Sequence, residues 1–125
     1  MIRSFADIDK SQLRGTIRRV DSLGRILVPM EYRKELGLEQ DVRIEIAVLD
    51  DGMLIRSFTG PADPNDEPLR AAGLGRLTAR RIDSLGRINV PVAARRVLGI
   101  AFHDELEIFL LRDGMFIRKK LVREA

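Results

Sequence analysis

The sequence predicts a mainly β protein built from one β-β-α-β-β unit used twice, and three observations carry that prediction. First, Arg18-Arg19-Val20-Asp21-Ser22-Leu23-Gly24-Arg25 returns 62 positions later as Arg80-Arg81-Ile82-Asp83-Ser84-Leu85-Gly86-Arg87. The register holds without a gap from Thr16/Thr78 to Arg56/Arg118, and about half of the paired positions are identical. A fixed internal period marks a duplicated supersecondary unit. Second, Val42, Ile44, Ile46 and Val48 alternate with more polar residues, the mark of a strand buried on one face. Third, Pro29 and Gly37, and again Pro91 and Gly99, bracket a segment that is long enough for about two turns of helix. A unit of about 45 residues is near the lower limit of independent stability. The two copies are therefore expected to close on each other as a pseudo-two-fold pair.

Residues 1–13 show no period and read as an N-terminal arm. Thr16 to Val20 alternates as a short strand with Ile17 and Val20 as inward anchors, and Ile26-Leu27-Val28 reads as its hairpin partner. Between them Asp21-Ser22-Leu23-Gly24 has turn chemistry, since Asp bonds its own backbone and Gly accepts positive φ. Pro29 suits a helix start, and Met30 to Leu36 follows, packed through Met30, Leu36 and Leu38, with Gly37 as cap. After the alternating strand, Asp51-Gly52 turns the chain into Met53-Leu54-Ile55.

Copy two repeats the series through Ala79 to Ile82, Ile88 to Val90, Pro91 to Leu98 with Gly99, Leu106 to Leu111, Asp113-Gly114 and Met115 to Ile117. Phe102, Phe109 and Phe116 read as core. The resulting boundaries are an arm at 1–13, repeat one at 14–58, a linker at 59–75, repeat two at 76–121 and a tail at 122–125. Three prolines and several acids make the linker stiff and extended, with a helical turn expected in Leu69–Leu74.

Composition excludes several classes of function. There is no cysteine, hence no disulfide framework and no thiolate metal site, which fits a reducing cytoplasm. No apolar run approaches the roughly 20 residues that span a bilayer, and the first residues carry Asp7 where a secretory signal would be apolar. A cytoplasmic protein with no membrane partner is expected. His103 is the single histidine, so no metal site is expected. No serine or threonine has a base partner and no Gly-rich phosphate loop occurs, so neither an enzyme nor a cofactor is expected.

Charge is the positive signal. The formal net charge is only +3, but Arg14 to Lys34 holds six basic residues against Asp21 and Glu31, while Glu35 to Phe58 holds two against six acids. Arg76 to Arg96 repeats this with six arginines against Asp83 alone, and Val97 to Arg118 has two arginines and four acids. The same polarity twice implies one basic face, suited to a polyanion, and a neutral-to-acidic body.

The string Arg-Val-Asp-Ser-Leu-Gly-Arg-Ile-Leu-Val-Pro, followed by Glu31-Tyr32-Arg33-Lys34-Glu35-Leu36-Gly37-Leu38, resembles the AbrB/SpoVT/MazE-like swapped-hairpin DNA-binding family of bacteria. Copy two is similar, from Arg81-Ile82-Asp83 to Pro91 and from Arg95-Arg96-Val97 to Ile100. The resemblance implies a swapped-hairpin barrel formed by two pseudo-symmetric halves, closing within one chain or as a homodimer by hairpin exchange. It implies double-stranded DNA as partner and a nucleoid-associated transcriptional regulator as function. Carried over by position, Arg18, Arg19 and Arg25 belong to the DNA-facing hairpin of copy one and Arg33 and Lys34 to its helix. Arg80, Arg81, Arg87, Arg95 and Arg96 take the same parts in copy two.

Charge points the same way, because these residues make the first halves basic and arginine grips a phosphate or a guanine edge by two bonds. Six to ten neutralised phosphates would make affinity fall by about three to five orders of magnitude between low and moderate salt. Part of the selectivity is expected from DNA deformability. Copy two lacks acids at the positions of Glu31 and Glu35 and ends in Arg118-Lys119-Lys120, so Arg87→Ala is expected to cost more than Arg25→Ala. Two alternatives stand beside this. One is an antitoxin-like or other protein-interaction module, against which the sequence lacks the long acidic C-terminal extension of MazE-like antitoxins. The other is a purely structural barrel whose arginines satisfy internal acids.

Overall fold

The computed structural model describes residues 4–8, 13, 15–57 and 77–120. The expected linker at 59–75, the turn at Leu69–Leu74 and the tail at 122–125 lie outside them. After a 3-10 turn at Phe5–Asp7, the chain runs through β1 (Gly15–Arg19), β2 (Arg25–Leu27), α1 (Met30–Leu36), β3 (Arg43–Val48) and β4 (Met53–Ser57). It continues through β5 (Leu77–Arg81), β6 (Arg87–Asn89), α2 (Val92–Leu98), β7 (Glu105–Leu110) and β8 (Met115–Lys119). The strands form a six-stranded antiparallel sheet, in the order β1-β7-β8-β4-β3-β5, and a separate two-stranded ribbon, β2-β6.

Among the described residues only β3-β4 and β7-β8 pair locally. The other four described pairings, β1-β7, β3-β5, β4-β8 and β2-β6, each join one sequence repeat to the other. The hairpin expected between Thr16–Val20 and Ile26–Val28 is therefore not formed. Its turn exists, closed by the Asp21 N–H on the Arg25 carbonyl at 2.9 Å and the Gly24 N–H on the Asp21 carbonyl at 3.0 Å. Beyond it the strands part, β1 into the sheet and β2 into the ribbon. Val20 and Ile26 flank the turn and are both buried in the core between sheet and ribbon. Strands paired with each other would have laid the two walls of that core in one plane. Each ribbon strand is instead prolonged by the other repeat's turn, with the Val28 N–H on the Gly86 carbonyl and the Val90 N–H on the Gly24 carbonyl.

The inner face of the sheet supplies Ile44, Ile46, Ile55, Ile108, Met115 and Ile117 to this core, opposite Ile26 and Ile88 of the ribbon. Full burial of each such side chain contributes about 1.5–3 kcal/mol. The helices end as their sequences require, Gly37 and Gly99 both sitting at φ 65° as left-handed C-caps. Pro29 and Pro91 are the N-cap residues, one position before the first helical turn.

Three expected core positions differ. Ile17 is 36% exposed, because β1 turns Thr16 and Arg18 toward the half-covered side and Thr16 Oγ1 shares a 2.9 Å hydrogen bond with the Tyr32 hydroxyl. Met30 is 61% exposed, and Tyr32 with Leu36, one turn apart on the inward face, anchors α1 in its place. Phe102 is 48% exposed and lies 5.0 Å from the Arg95 guanidinium. His103 takes a left-handed turn at φ 70°, its N–H bonded to the Val20 carbonyl at 2.8 Å. Its repeat equivalent, Asp41, does the same at φ 67°, with its N–H on the Ile82 carbonyl at 3.0 Å.

The outer face of the sheet carries a second apolar cluster of Ala47, Leu49, Leu54, Phe109 and Phe116, joined by Ile8 and flanked by Phe5 and Leu13. Part of the segment expected to be a plain arm therefore covers this face. The Phe5 N–H groups its turn against the Asp51 carboxylate at 3.1–3.2 Å. Among the described residues no helix is long and apolar enough to cross a membrane.

Candidate nucleic-acid interface

Alternation along the ribbon decides which side chains it presents. Ile26 and Ile88 face the core at 1% exposure, so Arg25, Leu27, Arg87 and Asn89 face outward. In register, Arg25 lies opposite Asn89, Ile26 opposite Ile88, and Leu27 opposite Arg87. The two arginines that the repeat places 62 residues apart are thus diagonal neighbours on one surface. The two basic segments, expected as separate hairpins, instead contribute one strand each to a single ribbon.

Each ribbon arginine is held by its own turn. Asp21 Oδ1 accepts the N–H groups of Leu23 at 2.9 Å and Arg25 at 2.8 Å, and Oδ2 accepts Arg25 Nε at 2.9 Å. Asp83 repeats the pattern with Leu85, Arg87 and Arg87 Nε at 2.9, 2.8 and 2.8 Å. The carboxylate engages Nε only, and no described residue takes the terminal guanidinium nitrogens. An arginine fixed in this way is pre-oriented for a ligand and loses less freedom on binding.

The Arg25 backbone N–H, opposed by a smaller effect of burial and joined by the Leu23 N–H and the Arg25 guanidinium, lowers the Asp21 pKa from its ordinary value. At Asp83 burial acts upward, but the N–H of Arg87, its guanidinium and the N–H of Leu85 together outweigh it and lower the pKa. A carboxylate lowered on folding stabilises the turn above its unfolded pKa, and that contribution disappears as pH falls through the folded value. The turns should accordingly lose stability below about pH 4, as the ordinary aspartate range is passed. Thermal unfolding followed from pH 6 to pH 2 should show this fall, and Asp21→Asn/Asp83→Asn should flatten it.

The helix arginines have a different place. Arg33 of α1 bonds the Val28 carbonyl through Nε at 3.2 Å, and its guanidinium lies directly over Gly86, where an added Cβ would collide with it. Arg95 of α2 bonds the Val90 carbonyl at 3.3 Å and lies over Gly24. Each helix therefore clamps the turn of the opposite repeat. Gly24 and Gly86, at φ 79° and 84°, combine a left-handed turn with this close approach.

The remaining expected residues spread around the ribbon. Lys34 and Arg96 are exposed on α1 and α2. Arg19 is exposed at the end of β1, 4.0 Å from Glu105. Arg18 Nη1 bonds the Ile17 carbonyl at 2.9 Å, and Arg81 Nη1 bonds the Asp41 carbonyl at 3.0 Å. Arg80 lies in β5 opposite Ile44, and its side chain is outside the described residues. The C-terminal cations are engaged locally. Arg118 pairs with Glu107 at 3.3 Å, Lys119 with Asp104 at 3.2 Å and Lys120 with Glu105 at 3.7 Å. Leu27 and Asn89 are absent from the expected set. The signal that finds them is their mismatch inside an otherwise matching block, Arg-Ile-Leu-Val-Pro against Arg-Ile-Asn-Val-Pro.

Residues 17–58 match the family model described as antidote-toxin recognition MazE, bacterial antitoxin. The transition state regulatory protein AbrB of Bacillus subtilis is 33% identical over 67 residues, a match that spans 47% of this chain and 68% of that protein. The chain belongs to the MazE/AbrB family. Stage V sporulation protein T of Bacillus subtilis is 48% identical to this family member over 52 residues, 42% of the chain. The match spans only 27% of the sporulation protein's length. The solution structure of PHS018 from Pyrococcus horikoshii has 24% identity and a TM-score of 0.45, over 86% of this chain and 95% of that one.

Proposed function

We propose that the chain is a DNA-binding transcriptional regulator of the AbrB type, in which residues 14–58 and 76–121 act as two AbrB-like copies closed into a pseudo-dimer within one chain. The observation that carries this reading is the ribbon. Two strands from different repeats bring Arg25 and Arg87 onto one outward surface, and a two-stranded ribbon is an element that the major groove admits. Arg19, Lys34 and Arg96 surround it as candidates for phosphate contacts, which set orientation and register while the ribbon meets base edges. The relatives' names, a transition state regulatory protein and a sporulation protein, support a regulatory role.

A salt-titrated gel shift on random duplex tests the reading. Arg33 and Arg95 already hold backbone carbonyls, so about four to six phosphate contacts are expected rather than six to ten. Affinity should then fall by about two to three orders of magnitude between 50 and 200 mM salt. Absence of a shift at any ionic strength would overturn it. The description of the matching family model favours one second reading, an antitoxin-like interaction module. In that reading a toxin-like protein, and not duplex, is the tight ligand.

A further inference from the structure

The outward face of the ribbon is not two equal halves. The 62-residue repeat carries Arg25 onto Arg87, but it carries Leu27 onto Asn89. A pair of identical chains would show the same residue at both positions, and such a dimer reads a self-complementary site. Here one strand shows arginine and leucine and the other arginine and asparagine. In register, Asn89 stands directly across from Arg25 and Leu27 directly across from Arg87. The pseudo-two-fold axis passes near the Ile26–Ile88 pair, so the difference falls at the centre of the surface.

Both odd residues are available to a ligand. Leu27 is 41% exposed, a large apolar side chain at the surface of the ribbon. Asn89 is exposed, and its amide has no hydrogen-bond partner among the described residues. Neither is explained by folding, since the inward work at this point of the ribbon is done by Ile26 and Ile88. Their chemistries differ in a way that DNA distinguishes. An amide matches the N6 donor and N7 acceptor of adenine, whereas an aliphatic side chain meets the thymine methyl.

We propose that Leu27 and Asn89 give the protein a directional readout: the ribbon selects a non-palindromic core, Asn89 favouring adenine beside the Arg25 contact and Leu27 an apolar base edge beside the Arg87 contact. The inference rests on the DNA-binding reading above. It turns a duplicated, near-symmetric domain into one that has a single preferred orientation on its site.

The test is selection from a random duplex library with the full chain, carried out for the wild type, Leu27→Asn, Asn89→Leu and the exchanged double variant. The wild-type core should differ from its own reverse complement. Asn89→Leu should reduce the preference for adenine at one central position by about tenfold. Leu27→Asn should add a mirrored adenine and make the core self-complementary. The double variant keeps the composition of the ribbon, guards against misfolding of a single variant, and should invert the core relative to its flanks. A palindromic wild-type core, or one core shared by all four proteins, would overturn the inference while salt-dependent binding still stands. Loss of all duplex binding by the wild type would overturn the DNA-binding reading as well.

Discussion

Arg25→Ala is expected to weaken duplex binding by about 1–3 kcal/mol, and Arg87→Ala by less. Assigning charge by repeat leads to the opposite order, because the acids Glu31 and Glu35 belong to copy one and have no counterpart in copy two. The pairing of the ribbon reverses that assignment. Arg25 lies opposite Asn89, which leads through Val90 and Pro91 into α2, and Arg95 of α2 covers the neighbouring Gly24. Helix α2 has Arg95 and Arg96 and no acid. Arg87 lies opposite Leu27, which leads into α1, where Arg33 and Lys34 are offset by Glu31 and Glu35. The Arg118-Lys119-Lys120 cluster does not restore the earlier order, since all three side chains have carboxylate partners. Dissociation constants of both single variants on one duplex at one salt concentration decide the matter. Equal losses, or a larger loss for Arg87→Ala, would show that field and pairing do not govern affinity.

The pairing across the two repeats marks the limit of what the sequence makes legible. Unit order and the glycine caps are local properties, written in Gly37, Gly99 and the alternation of Ile44 and Ile46 with Arg43 and Glu45, and the structure has them where they are expected, whereas Pro29 and Pro91 stand one position outside the helices they are expected to begin. Partner choice is not local. A 62-residue period states that two units exist but not that β1 pairs with β7 and β2 with β6, because antiparallel edges of similar composition accept either partner. The misplaced anchors have the same origin. Met30 and Tyr32 both suit the apolar side of a seven-residue helix, and only the position of Thr16 on β1 selects Tyr32 through its hydroxyl. Phe102 reads as core by hydropathy, yet it follows a helix cap at the edge of the fold, where its partner is a guanidinium. The candidate arginines were visible as charge, but their division into ribbon, clamp and periphery depended on which nitrogen each commits to the protein.

Phe116→Ala is expected to cost about 3–5 kcal/mol of stability, the range for removing a buried aromatic ring. Phe116 is fully buried at 0% exposure, with Leu54 opposite on one side and Phe109 on the other. The Phe5 ring centroid stands 5.7 Å from it and 5.0 Å from Phe109, and the Arg118 guanidinium lies 3.8 Å from the Phe5 centroid. The ring therefore fills the outer face of the sheet and also forms the seat of the N-terminal turn. A small domain of ordinary stability, about 5–15 kcal/mol, would lose a large fraction of it. Phe116→Leu, which installs the residue that repeat one has at Leu54, should cost much less because most of the buried volume is kept. Phe5→Ala should fall below Phe116→Ala, since Phe5 is only half-buried. Aromatic pairs in contact couple by about 0.5–1.5 kcal/mol, so the cost of Phe5→Ala should shrink by that amount when Phe116 is already alanine. Urea unfolding of the four proteins measures the coupling, and strict additivity would show that the N-terminal turn is not seated on this ring. Because the cluster and the ribbon lie on opposite faces of the sheet, Phe116→Leu should leave duplex affinity unchanged, which separates loss of fold from loss of the interface.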